Sequence, residues 1–174
     1  ITMFLQTGPY ESTGFLKFPE EVKLSAVSAV VADPKDNIIV LHRGEPPLVV
    51  FDADGKYLRG FGNGKFKVAH GLRVGPNGHL WTTDNGNHVL REFTIDGELL
   101  RTLGTEGTAG KGETGFRSPD DLVFDSKGQI YVADAGNARI VKLTPEGKYL
   151  AEWGSKGKEA GQFATAHGLA IDPQ

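Results

Sequence analysis

The 174-residue sequence contains no cysteine. That removes disulfides, thiolate metal sites and cysteine nucleophiles at once, so any metal must be held by histidine, carboxylate or backbone oxygen. It also lacks an excess of charge: 19 Lys plus Arg stand against 22 Asp plus Glu, a formal net charge of −3, and neither sign gathers into a block. A nucleic-acid groove or an anionic membrane surface requires a basic excess, so neither partner is expected. Long apolar runs are missing too. The strongest, 38–41 and 48–51, fall far short of the roughly 18 residues a membrane helix needs, and no membrane insertion is expected. The chain opens on Ile1 without the charged, apolar and small-residue order of a signal peptide, which is the pattern of a processed or internal piece.

What is abundant is glycine, 24 residues with 9 prolines beside it. That is about twice ordinary usage and implies many tight turns between short strands. The strands repeat. Three segments align without a gap: VSAVVADPKDNIIVLHRGEPPLVVFDADGKYLRGFG from Val27, AHGLRVGPNGHLWTTDNGNHVLREFTIDGELLRTLG from Ala69, and PDDLVFDSKGQIYVADAGNARIVKLTPEGKYLAEWG from Pro119. A fourth, AHGLAIDPQ, starts at Ala166. Equivalent turn residues Asp33, Gly75, Asp125 and Asp172 give periods of 42, 50 and 47 residues, while the second turn of each complete unit starts 21 residues after the first. Constant spacing inside the unit and variable spacing between units place the insertions in inter-repeat loops.

Within a unit, the runs 71–74, 79–83, 89–94 and 99–103 carry β-branched, aromatic and aliphatic residues bounded by Gly, Pro, Asn or Asp. Asp96-Gly97, Asn77-Gly78 and Lys127-Gly128 supply the positive φ of tight hairpins. Each unit therefore reads as a four-stranded antiparallel meander. A lone meander buries too little to be stable, so the units must stack face on face around an axis, as in a β-propeller. The fold class is all-β, with about three and a half blades: 27–62, 69–104 and 119–154, and the start of another at 166. Residues 1–24 form a lead-in, with Phe15, Phe18 and Pro19 placed to reach the first blade, and 25–174 form the partial propeller. An open arc has pairing-competent edges, so its missing blades are expected from the rest of a longer chain or from another copy.

The corner sequences ADAGNARI (133–140) and TDNGNHVL (83–90), with the closing Phe61-Gly62, Leu103-Gly104 and Trp153-Gly154 and the later Gln162-Phe163, resemble the NHL repeat, which forms propellers. In order and spacing, VSAVVADPKDNIIVLHRGE, VAHGLRVGPNGHLWTTD and IYVADAGNARIVKLTPEGKYLAEWG followed by GQFATAHGLAID resemble the lyase domain of peptidylglycine α-amidating enzymes. That resemblance implies a six-bladed propeller that cleaves peptidyl-α-hydroxyglycine to a peptide amide and glyoxylate, using zinc held by three histidines and a structural calcium. The implied partner is a peptide C-terminus or a small molecule.

The residues point the same way on one count. The position five before the first turn is Ser28, His70, Asp120 and His167 in successive units, so imidazole occupies alternate blades. Equivalent positions on innermost strands converge on the propeller axis. His70 and His167, with a third ligand two blades on, make an open catalytic zinc set. The plainer alternative is that these histidines satisfy backbone groups at blade junctions. His79 and His88 read as turn or corner residues, and His42 aligns with the corner residues Asp84 and Asp134, whose turn contacts it replaces.

Arg43 stands where the other units have Asn85 and Ala135. An arginine at the channel mouth can hold a carboxylate on two prongs, and the resemblance gives the arginine of the matching His-Arg-Gly a catalytic and substrate-binding role. The alternative is a surface pair with Glu45. The resemblance also implies calcium on backbone oxygens of Val30 and Leu72. The acidic calcium ligand of the last blade is absent, and so is the family's proposed tyrosine base, since the corner 134–137 is one residue short and Tyr131 is out of register. Two further readings stay open: a non-catalytic NHL scaffold, and a metal-dependent lactone or ester hydrolase. Gly104 to Gly112 has the look of a phosphate loop but the wrong spacing and no helix after it, so it reads as an inter-blade loop.

Overall fold

The computed structural model describes residue 14 and residues 16–172. Phe15 and the rest of the lead-in before residue 14 lie outside the described residues. Among the described residues there are twelve strands: β1 (Val27–Ala32), β2 (Ile38–His42), β3 (Leu48–Phe51), β4 (Tyr57–Phe61), β5 (Ala69–Val74), β6 (Leu80–Asp84), β7 (Val89–Phe93), β8 (Leu99–Leu103), β9 (Pro119–Phe124), β10 (Ile130–Asp134), β11 (Arg139–Leu143) and β12 (Tyr149–Trp153). They form three antiparallel sheets in sequential order, β1–β4, β5–β8 and β9–β12. These are the expected blades. Among the described residues no helix is long and apolar enough to cross a membrane.

The hairpin turns show why this composition folds this way. Gly78 and Gly128 adopt φ of 78° and 74° in the first turns of the second and third blades, and Asp36 takes φ of 62° at the same place in the first. Glycine enters that region without steric cost, and aspartate is among the few side chains that tolerate it.

Blades stack through their faces. Ile39, Leu41, Leu48 and Val50 of the first blade pack with Ala69, Leu72, Leu80 and Phe93 of the second. Trp81 and Leu90 of the second pack with Leu122, Ile130, Val132, Val141 and Leu143 of the third. Strands β2, β3, β6 and β7 are buried along almost their whole length, whereas β4, β8 and β12 alternate. Strands β2 and β3, with a blade on one face and the lead-in on the other, are close to continuous apolar runs, whereas β6 and β7, between two blades, also bury Thr82, Thr83, Asp84, Arg91 and Glu92. Burying each large apolar side chain contributes about 1.5–3 kcal/mol. On the free face of the first blade, Leu16, Phe18 and Val22 of the lead-in cover Val40, Val49 and Phe51.

The corner between second and third strands is held by one buried carboxylate. Asp84 accepts hydrogen bonds from the backbone N–H of Lys67 (3.0 Å), Val68 (2.9 Å), Gly86 (3.1 Å) and Asn87 (3.0 Å), and from Arg91 Nη1 at 2.9 Å. Burial pushes its carboxyl up, but those N–H groups and Arg91 outweigh it and hold it below the usual carboxylate value. Asp134 repeats the arrangement with Arg117 N, Asn137 and Arg139. His42 takes over the job in the first blade, its Nδ1 accepting from Ser25 N at 3.3 Å and Gly44 N at 3.0 Å. The loop 104–112 connects β8 to β9, as expected for an inter-blade loop.

The segment 166–172, expected to open a fourth blade, forms no strand. A blade's first strand takes its ladder from the second strand of the same blade, as β5 does from β6. Side chains of the third blade hold the segment instead, through Asp121 to Leu169 N (3.0 Å) and Asp120 to His167 (2.7 Å).

Candidate metal centre

Each inner strand departs from regular pairing at the residue the repeat singled out. In β1 the register slips between Val27 and Ala29, leaving Ser28 extra. In β5 it slips between Ala69 and Leu72, across His70 and Gly71. In β9, Pro119 pairs with Asp134 and Asp121 with Ala133, leaving Asp120 extra. A bulge re-aims the side chain it carries. Ser28, His70, Asp120 and His167 line one cavity of about 240 Å³, with Val30 and Leu72 also in its wall.

The two imidazoles lie edge to face with centroids 5.2 Å apart. Among the described residues, His70, Asp120 and His167 each offer a ligand atom within 4.8 Å of the others. His70 Nδ1 is 3.0 Å from the Asp120 carbonyl oxygen, and His167 Nδ1 is 2.7 Å from Asp120 Oδ2. His70 Nε2 lies 3.9 Å from Asp120 Oδ1. Side-chain exposure runs from 9% for Asp120 through 24% for His70 to 67% for His167, so the carboxylate forms the floor and the rings the opening.

Asp120 is itself fixed from the second blade. Asn85 Nδ2 donates to Oδ1 at 2.6 Å, and the Thr83 hydroxyl donates to the Asp120 carbonyl at 2.9 Å while accepting from Gly71 N at 2.7 Å. Gly71 is glycine for a local reason: a Cβ there would lie 2.7 Å from the Asp120 carbonyl oxygen. One residue on, Asp121 binds Arg73 in two-pronged fashion, Nη2 to Oδ2 at 2.6 Å and Nε to Oδ1 at 3.1 Å, and also receives Leu169 N. This pair anchors the segment that bears His167.

Arg43 is exposed and outside the cavity wall. Its Nε donates to the Ala69 carbonyl at 3.3 Å, one residue before His70. Its repeat equivalent Asn85 likewise reaches across to the next blade's inner strand. Tyr131 stacks on Trp153 and points its hydroxyl at Asp125, away from the cavity. His79 pairs with Glu92 at 2.8 Å and His88 Nδ1 accepts from Ser118 N at 3.1 Å, both structural contacts.

Asp120 stands at the shared repeat position, but the alternation there marks imidazole alone, so its part in the site is not legible from the sequence. Asp121 was missed altogether. Its signal was an acid where the other units have Ala29, Gly71 and Gly168.

The NHL repeat family matches residues 66–93 and 116–143, the first three strands of the second and third blades with the segments that lead into them. The chain is 29% identical over 181 residues to peptidyl-glycine alpha-amidating monooxygenase of Mus musculus, covering 84% of this chain and 18% of that protein. It is 28% identical over 190 residues to peptidyl-alpha-hydroxyglycine alpha-amidating lyase 1 of Drosophila melanogaster, covering 88% and 35%. The chain thus spans less than a fifth of the mouse relative and about a third of the fly one. Among solved structures it resembles a catalytically inactive virginiamycin B lyase from Staphylococcus aureus, with TM-score 0.58 and 17% identity over 73% of this chain and 40% of that one. At that identity the likeness is one of fold. The chain thus carries two NHL repeats within blades of β-propeller type, and over most of its length it is similar, at 28–29% identity, to amidating enzymes.

Proposed function

We propose that the chain carries the metal-binding arc of a lyase that cleaves the C–N bond of peptidyl-α-hydroxyglycine, yielding a peptide amide and glyoxylate. The observation that carries this reading is that His70 and His167, two blades apart in the repeat, bring their rings to 5.2 Å across one open cavity. The site suits a divalent cation such as zinc: two imidazoles meet across one cavity with a buried carboxylate beside them, all within 4.8 Å, and no cysteine is present. Bound there, zinc supplies Lewis acidity that brings the pKa of a coordinated hydroxyl toward neutrality.

The chain's own residues account for binding and orientation. His70 and His167 hold the cation, and the Asn85–Asp120 link keeps their neighbour still. Arg43, exposed beside the strand that bears His70, receives the substrate's terminal carboxylate in a two-pronged contact and keeps it in place as it becomes part of glyoxylate. The substrate hydroxyl oxygen becomes the aldehyde oxygen, and the nitrogen gains a proton as it leaves as the amide. Val30 and Leu72 line the same cavity, which supports calcium on their backbone oxygens as a structural companion.

Glyoxylate release from a peptidyl-α-hydroxyglycine tests the reading. Zinc-dependent release lost in His70→Ala and His167→Ala is the expected result, and release no faster than without protein overturns it. A folded protein that takes up no metal favours a binding scaffold, and ester or lactone turnover without glyoxylate favours a hydrolase.

A further inference from the structure

Asp120 belongs to the blade between the two histidine-bearing positions, and it meets both rings through different atoms. Its backbone carbonyl lies 3.0 Å from His70 Nδ1 and its Oδ2 lies 2.7 Å from His167 Nδ1. A carbonyl and a carboxylate can only accept, so both Nδ1 atoms must carry the proton. A neutral ring protonated on Nδ1 has its lone pair on Nε2.

We propose that Asp120 is the positioning residue of this site, fixing both imidazoles as Nδ1–H tautomers, His70 through its carbonyl and His167 through its carboxylate, so that Nε2 of each ring is the metal donor. The inference rests on the metal reading above and adds the atoms that ligate. It also decides against Asp120 as a ligand in its own right. Oδ2 is engaged by His167 and Oδ1 by Asn85 at 2.6 Å, so direct ligation would have to compete with two short bonds for the lone pairs of a side chain that is nine-tenths buried. A carboxylate that accepts from the Nδ1–H of a ring stands on the side opposite the Nε2 donor. The carbonyl is held just as firmly, by Thr83 at 2.9 Å.

The two arms differ in what a side-chain change can remove, and that makes the inference testable. Long-range proton–nitrogen NMR of the metal-free wild-type chain at mildly alkaline pH, where ordinary imidazole is neutral, reads the tautomer of each ring. Nδ1–H on both His70 and His167 is the expected result. In Asp120→Ala, His167 is expected to revert to the Nε2–H form of free imidazole, while His70, held by a backbone group, keeps Nδ1–H. Zinc affinity of Asp120→Asn is expected to fall about 10- to 100-fold with circular dichroism unchanged, the loss typical of an outer-shell partner of a metal-bound histidine.

Nε2–H on both rings in the wild type, or an unchanged His167 tautomer in Asp120→Ala, overturns the inference. So does a carboxylate oxygen in the first coordination sphere of bound zinc by X-ray absorption. The expected tautomers in a chain that takes up no zinc would support the positioning role and overturn the metal reading alone.

Discussion

Arg139 Nε donates to Asp134 Oδ2 at 2.8 Å, and both side chains are fully buried. The second blade makes the equivalent contact between Arg91 and Asp84 from a different place. Arg91 is the third residue of β7 and Arg139 the first of β11, two positions apart and therefore on one face of the strand. Deleting one partner strands a buried charge. Arg139→Leu and Asp134→Ala are each expected to cost about 3–5 kcal/mol in chemical unfolding, whereas Glu106→Ala, at the exposed end of the Arg91 contact, should cost no more than about 1 kcal/mol.

The first blade has His42 in place of that aspartate, and it should make the fold acid-sensitive earlier. Burial holds the His42 imidazole below its usual 6.5, against the opposing pull of Pro46 backbone and the Glu45 charge. Between the depressed folded value and 6.5 the unfolded chain binds the extra proton, so stability is complete above that pH and falls as pH drops toward the folded value. The unfolding midpoint is expected to decline over this window. His42→Asn, which keeps an acceptor for Gly44 N but does not titrate there, should flatten the decline. Asp84 and Glu92, whose carboxyls lie below their usual values, contribute a second decline that sets in only below about pH 5, as the pH passes the unfolded carboxylate values and drops toward the folded ones.

Gly71→Ala probes the coupling between packing and the metal site. Its Cβ would press on the Asp120 carbonyl and on Thr83 Oγ1, 2.7 and 2.9 Å away. Overpacking of this kind costs about 1–3 kcal/mol. Because the displaced carbonyl is the one facing His70, zinc affinity should fall together with the thermal midpoint. A destabilised variant with wild-type zinc affinity would count against that coupling.

Arg43→Ala should separate chemistry from folding. The side chain is exposed and makes one long contact to Ala69, so stability should change by no more than about 0.5 kcal/mol. If Arg43 holds the substrate's terminal carboxylate, kcat/KM for glyoxylate release should fall about 10²- to 10³-fold. Arg43→Lys should recover little of it, since an ammonium cannot reproduce the two-pronged contact.

The blades were legible because each rests on local facts: alternating and continuous apolar runs, turn glycines and a fixed 21-residue spacing. His42 could be assigned its corner task by alignment alone, since the backbone N–H groups it serves recur in every unit. The convergence of His70 and His167 was legible from repeat arithmetic. The contacts Asn85–Asp120, Thr83–Asp120 and Arg73–Asp121 were not, because they join residues 35 to 48 apart across a stacking angle that no single unit encodes. AHGLAIDPQ has the composition of an inner strand, and the described part of it is held by side-chain tethers to Asp120 and Asp121.

The bulges in β1, β5 and β9 keep Ser28, Asp120 and one of the His70–Gly71 pair out of step with the neighbouring strand. A side chain mounted that way can be exchanged without sliding any strand past another. The channel wall therefore works as a set of interchangeable sockets around a fixed frame: hydroxyl, imidazole and carboxylate already occupy three of them, and a new donor set needs only new plugs.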